Sequence, residues 1–197
     1  MLFVHFVQWI CSFLIGADVG ESERRLEILR AARHLALRHG LQAVTMEAIA
    51  KEARVAKPTL YKYFGDKSAV FSAIVTELLV ELHSRFAEAL GGDDSPGERI
   101  AAALTAKYAA LAEFMAGSPH ADELYNESGR LTGPQVEVAE AASDEAVIGA
   151  LREAGVEEPE AVARVIVAGS YGIFRKARPG EDIAPAIRML VTRVVGQ

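Results

Sequence analysis

The sequence predicts an all-α chain, and three observations carry that prediction. Apolar residues recur at spacings of three and four from Ser22 almost to the C-terminus. Clusters rich in Gly, Pro, Asp and Ser interrupt those runs at the places where helices should end. No stretch alternates convincingly as a strand: RVIVAG at 164–169 is β-branched but sits inside a longer helical pattern. About nine helices are expected.

Taken in order, Glu23 to His39 sets Leu26, Leu29, Ala32 (or Arg33), Ala36 and Leu37 on one side, with Arg24, Arg25, Arg30 and Arg38 largely elsewhere. Gly40 follows a last turn holding Arg38 and His39, a good helix stop. Thr45 fits an N-cap for a short helix, Met46 to Ala53, with Ile49 and Ala50 inward. After a turn at Arg54-Val55, a second short helix runs from Ala56 to Tyr63 or Phe64. Its Pro58 falls in the first turn, where a missing N–H costs little. A long helix starts near Lys67 and repeats Val70, Phe71, Ile74, Leu78, Leu82, Phe86 and Leu90. Further helices are expected at 98–116, 120–131, 134–154, 160–177 and 183–195, the last capped by Asp182.

Composition narrows the class. The chain has 197 residues, is 51% hydrophobic and 24% charged, and carries a net charge of −6. It is long and apolar enough for a substantial core and too apolar for disorder. One Cys, Cys11, excludes an internal disulfide framework and fits a reducing compartment, so a cytoplasmic location is expected. The first fifteen residues, MLFVHFVQWICSFLI, would span only about 22 Å as a helix, short of a hydrocarbon core of about 30 Å. No Lys or Arg precedes Arg24, so a secretory n-region is missing. An upstream mis-called start, an apolar helix packed on the body or a partner, and a membrane-surface helix all fit residues 1–21 as a leader.

Charge is unevenly distributed. Ser22 to Lys67 holds ten Lys/Arg and five Asp/Glu, net +5, whereas Ser68 to the end is net −9. A basic segment on an acidic body suits a small nucleic-acid-binding head on a larger effector domain, although a chance fluctuation in surface charge gives the same numbers.

Two short helices joined by a tight turn behind a longer one make a helix-turn-helix, here Thr45 to Phe64. The second must enter a major groove about 12 Å wide, so its outer face must be polar or small. Lys57, Thr59, Tyr61 and Lys62 offer that face, while Val55, Leu60 and Phe64 point to the head's own core. Thr45 and Tyr63 can supply hydroxyls to phosphates, and Lys67 opens the next helix. In the alternative, Tyr61 and Tyr63 are packing aromatics, and Lys57, Lys62 and Lys67 are solvated lysines.

The run from Thr45 to Lys67, TMEAIAKEARVAKPTLYKYFGDK, resembles the signature of the TetR family of one-component transcriptional regulators. Gly40, Thr45, Ile49-Ala50, Ala53, Val55, Thr59-Leu60-Tyr61, Tyr63-Phe64 and Lys67 carry the resemblance, which covers residues 22–70. It implies a DNA-binding head at 22–68 and a ligand-binding and dimerisation domain at 69–197. It also implies phosphate contacts from Thr45, Tyr63 and Lys67, and a recognition surface of Lys57, Pro58, Thr59, Tyr61 and Lys62. Two positions depart from the pattern. Arg54 stands where the turn often has Gly, and a left-handed conformation there costs on the order of 1 kcal/mol. Ala56 stands where Ser or Thr often caps the recognition helix.

By the same resemblance the last two helices, 160–177 and 183–195, pair with their symmetry mates. The homodimer would bind a pseudo-palindromic double-stranded operator and act as a repressor released by a small-molecule effector. The 160–177 segment is apolar nearly all round, with Val162, Val165, Ile166, Gly169 and Ile173 on one side and Ala163, Val167, Ser170, Tyr171 and Phe174 on the other. An effector cavity would be lined by Tyr108, Phe114, Met115, Tyr125, Tyr171 and Phe174, for each of which core packing is the alternative. Little buried charge is evident, which points to an apolar or aromatic effector. Catalytic residues, a metal site and a cofactor are not expected. The five His, at 5, 34, 39, 83 and 120, form no helical pair, and no phosphate loop follows a strand. The competing functions are a helical hydrolase and a ligand-binding bundle with no DNA role.

Overall fold

A computed structural model describes residues 19–115 and 118–196, and for 19–22 and 121–132 the backbone alone. The leader therefore lies outside the described residues except at its last three positions, and so does the side chain of Tyr125. Among the described residues there are eight α-helices and no strand. They are α1 (Val19–His39), α2 (Met46–Glu52), α3 (Lys57–Tyr63), α4 (Lys67–Leu90), α5 (Pro96–Met115), α6 (Ala121–Glu153), α7 (Pro159–Lys176) and α8 (Ala184–Val195).

The expected break between 131 and 134 does not occur: the two helices predicted there are the single helix α6, with Pro134 inside it. A proline removes one backbone hydrogen bond and bends a helix, but it does not oblige the chain to leave it. Eight helices replace the expected nine for that reason.

The chain forms two compact units. The first contains α1 to α3, α4 as far as Val80, and α6 as far as Gly133; the second contains the rest of α4 and α6 with α5, α7 and α8. In the first, α1 buries Ile28, Leu29, Ala31, Ala32 and Ala36, and α2 buries Met46, Ile49 and Ala50. Helix α1 stops where the sequence predicts, at a left-handed Gly40 (φ 81°) whose N–H donates to the Ala36 carbonyl at 2.9 Å. Asp66 caps α4, its Oδ1 accepting from the Ala69 N–H at 2.8 Å.

In the second unit α5, α7 and α8 pack against one another. Ile100, Leu104, Ile166, Ile187 and Val191 form their shared core, joined by Val147 and Leu151 of α6. The α7–α8 crossing is close at Gly169, where a Cβ would lie 2.6 Å from Leu190 Cδ2. Only Ala163, Ile166 and Ser170 of α7 are buried. Its other apolar side faces outward: Val165 is 53% exposed, as is Met189 of α8 at 63%. Asp182 does bind the start of α8, accepting from the Ala184 N–H at 3.0 Å, although Ile183 holds the N-cap position.

Both departures in the helix-turn-helix take the forms expected. Arg54 is left-handed (φ 55°). Ala56 is the N-cap of α3 and makes no side-chain capping bond. Restoring the missing acceptor with Ala56→Ser should raise stability by about 1 kcal/mol. The check is a denaturant titration, in which the midpoint rises at constant slope; an unmoved midpoint would show that α3's first turn gains nothing from a cap.

Candidate nucleic-acid interface

Helix α3 has seven residues, too few to be stable alone, so its orientation depends on what it buries. Leu60 is fully buried and Phe64 nearly so. Around the rest of the helix Lys57, Pro58, Tyr61 and Lys62 are exposed, Tyr61 at 45%, while Thr59 and Tyr63, and Val55 in the preceding turn, are half-buried. Of the five residues expected at the recognition surface, four are thus exposed and Thr59 is half-buried. The turn before α3 is tied by backbone bonds: the Val55 N–H donates to the Ala50 carbonyl at 2.9 Å and the Arg54 N–H to that of Lys51 at 3.2 Å.

Thr45 is the N-cap of α2, its Oγ1 accepting from the Ala48 N–H at 3.1 Å. That bond uses a lone pair and leaves the hydroxyl proton to donate elsewhere. Lys67 is half-buried, and its Nζ donates to the Leu41 carbonyl at 3.2 Å, so it already ties the start of α4 to the loop after α1. Lys57 is paired with Glu47 of α2 at the surface. That pairing holds the Glu47 carboxyl below, and the Lys57 ammonium above, their ordinary values, chiefly through the hydrogen bond between them. Lys62 Nζ lies 5.9 Å from the centroid of the Tyr63 ring.

Two contacts of the head escaped the sequence reading. His34 Nδ1 lies 2.9 Å from Glu52 Oε1, joining α1 to α2. Arg25 Nη1 donates to Glu77 Oε1 at 2.8 Å, and its guanidinium lies 5.5 Å from the centroid of the Phe64 ring. Arg25 therefore joins α1, α4 and the C-cap residue of α3. Its signal in the sequence is weak, because an Arg on a basic helix reads as a solvated charge. Burial raises the Glu77 carboxyl above its ordinary range, although Arg25 pulls the other way.

The expected effector-cavity residues divide. Tyr108 is buried and stacks on Phe174, with centroids 5.2 Å apart and planes 15° apart; Tyr171 lies 6.4 Å from Tyr108, tilted by 46°. Phe114 and Met115 are half-buried. The expectation of little buried charge is overturned by Lys107, whose side chain is 7% exposed and whose Nζ donates to Glu140 Oε2 at 2.7 Å. The signal was present, since Lys107 is the one charged residue in the buried stripe of α5.

Comparison with known proteins accords with this geometry. The family model for bacterial regulatory proteins of the tetR family matches residues 28–74, which hold the whole helix-turn-helix. The chain is 30% identical over 163 residues to the HTH-type transcriptional activator FasR of Mycolicibacterium smegmatis, covering 80% of this chain and 72% of FasR. The chain belongs to the TetR family. It is also 36% identical over 90 residues to the HTH-type transcriptional regulator BetI of Brucella anthropi, spanning 46% of each chain. A TetR-like transcriptional regulator from Rhodococcus sp. RHA1 shares the fold, with TM-score 0.67, 20% identity, and coverage of 88% of this chain and 96% of that one. This TetR-family chain is a DNA-binding transcriptional regulator and not an enzyme. No described helix is long and apolar enough to cross a membrane.

In this TetR-family head, Arg25→Ala would leave Glu77 half-buried without its nearest cation, and the Glu77 pKa would climb further. The loss of stability should be about 1 kcal/mol near neutral pH, modest because the two side chains are 33% and 38% exposed and screened. A raised carboxylate pKa penalises the folded state only while the group is ionised. The difference between variant and parent should therefore shrink as pH falls through that raised value. Urea titrations at about pH 7 and about pH 4 check this; a pH-independent difference would assign the effect to lost packing on Phe64 instead.

Proposed function

We propose that the chain is a homodimeric, ligand-responsive repressor that inserts α3 of each head into successive major grooves of a pseudo-palindromic operator. The observation that carries this reading is the division of α3 into a covered and a free surface: Leu60 is fully buried while Lys57, Pro58, Tyr61 and Lys62 stand exposed. In this reading residues 22–68 are the DNA-binding domain and 69–197 the ligand-binding and dimerisation domain, in a cytoplasmic protein. Lys57, Pro58, Thr59, Tyr61 and Lys62 meet base edges, and Thr45, Tyr63 and Lys67 meet phosphates. The exposed apolar side chains Val165 of α7 and Met189 of α8 support pairing of α7 and α8 with a second copy. A small molecule bound near Tyr108, Phe114, Met115, Tyr125, Tyr171 and Phe174 lowers operator affinity only so far as it prefers the DNA-incompetent state. A second reading, activation, is favoured by one observation, the name of FasR as an activator.

The test is a DNase footprint on the DNA upstream of the chain's own reading frame, with transcription from that DNA measured beside it. A protected inverted repeat with reduced transcription is expected. Raised transcription would establish activation, and the lack of any protected repeat would sink autoregulation through such an operator.

Two variants then sort the contacts. Tyr63→Phe and Lys67→Ala should weaken binding about equally on all sequences, and the Lys change should make the salt slope shallower by about one. A change in base preference from either would contradict a phosphate role. Glu47→Gln removes the carboxylate that competes with DNA for Lys57, so affinity should rise, by no more than a few fold because the pair is exposed and screened. Unchanged affinity would mean that Lys57 does not leave Glu47 for the DNA.

A further inference from the structure

Lys107 is an unusual component for a regulator core. An ammonium taken out of water costs several kcal/mol unless it is paired, and an apolar residue of similar volume serves packing as well or better. Lys107 lies in the buried stripe of α5 between Leu104 and Leu111, both nearly inaccessible. Its counter-ion is not equally buried: the Glu140 side chain is 47% exposed. The cation is thus deep and its carboxylate sits at the rim, where water can receive it.

The surroundings add three elements. The Lys107 ammonium lies 5.8 Å from the centroid of the Tyr108 ring, which stacks on Phe174 and leans on Tyr171. One turn before Phe174 on α7, the Ser170 hydroxyl is fully buried and has no hydrogen-bond partner among the described residues. Such a group costs free energy unless something meets it. Around Lys107 stand His83 of α4 and Asp144, one turn beyond Glu140 on α6. Burial first, and then the charge of Lys107, lowers the His83 pKa, so the ring is neutral near pH 7. Burial first, and then the charge of Glu140, raises the Asp144 carboxyl, so the two carboxylates crowd one another. An anion that takes the place of Glu140 on Lys107 keeps the ammonium paired and releases Glu140 to water. A cation would instead bring like charge against a buried ammonium.

We propose that Lys107 is the anchor of the effector site and that the effector is a carboxylate with an apolar or aromatic body. The carboxylate exchanges with Glu140 on Lys107, and the body lies against Tyr108, Tyr171 and Phe174. This rests on the reading of the second unit as the effector domain and names the class of molecule that it takes.

The test uses the full chain and two probe series that differ only in the head group: decanoate, decanol and decylammonium, and phenylbutyrate, phenylbutanol and phenylbutylammonium. Affinity is read by calorimetry, and release from the footprinted DNA is read in parallel. In at least one series the carboxylate should bind on the order of tenfold to a hundredfold tighter than the alcohol, the range of a hydrogen bond to a buried charge, and the ammonium weakest. Lys107→Met should bring the carboxylate down to the alcohol, Lys107→Arg should keep much of the preference, and Glu140→Gln should tighten the carboxylate by removing its competitor. Equal binding of acid and alcohol, tightest binding of the ammonium, no binding in either series, or a preference that survives Lys107→Met would each overturn the proposal. Release of DNA by an alcohol or ammonium alone would keep the effector role and discard the anionic class. Carboxylate binding that leaves DNA affinity unchanged would keep the site and discard its role as effector.

Discussion

Everything that the recognition helix can do depends on the burial of Leu60 and Phe64. A seven-residue helix gains little from its own hydrogen bonds, and α3 has a left-handed Arg before it and no side-chain cap. Those local costs are offset only by seating Leu60 and Phe64 in the core of the first unit, where Ile49 and Ala50 of α2 are also buried. Because Leu60 fixes the rotation of α3, it also decides which residues face outward. Pro58, Tyr61 and Lys62 are exposed because they lie two before, one after and two after a side chain that must be covered, and Lys57 is exposed at the helix's first residue. The outer face of α3 is thus a consequence of core packing rather than an independent feature.

The head was legible for that reason. Periodicity marks Leu60 and Phe64 as inward and Lys57, Tyr61 and Lys62 as outward, and the structure agrees at each of these positions. The weak points Arg54 and Ala56 were equally legible, since backbone sterics and capping are local properties. Long-range pairings were not. Arg25 finds Glu77 across 52 residues of chain, a separation over which periodicity carries no information. Ile28, fully buried, was passed over on α1 because the stripe is broad and either Ile28 or Leu29 completes it. Pro134 reads as a break because a single proline is a strong local signal, whereas continuation of a helix through it is decided by the packing on either side. Lys107 was missed by reading charge as exposure, which holds for most lysines and fails for those held by a partner.

The two units differ in what they present. The first carries a polar outer face on short helices. The second holds an aromatic stack on α5 and α7 and a buried ion pair between α5 and α6. Helices α4 and α6 each contribute to both units, so the covalent backbone of two helices continues from one into the other. A ligand acts through such a chain only by differential affinity for two states. In the proposed reading the Lys107–Glu140 pair is a suitable place for that difference, because exchanging its anion changes which residues of α5 and α6 attract one another.

Charge partition explains how an acidic chain serves as a DNA-binding protein. The whole molecule carries −6, which at long range repels a polyanion. At physiological salt the Debye length is about 8 Å, so distant surface charges are largely screened and only those close to the phosphates count. The segment from Ser22 to Lys67 is net +5. Several of its cations are already engaged, Lys57 with Glu47, Arg25 with Glu77 and Lys67 with a carbonyl. In the proposed mode of binding, DNA therefore competes with internal partners for Lys57 and Lys67. That competition limits non-specific affinity, which rises with every exchangeable cation, more than it limits binding to a site that also engages the outer face of α3. An acidic body with a sparingly basic head thereby favours discrimination between sequences over raw affinity for the phosphate backbone.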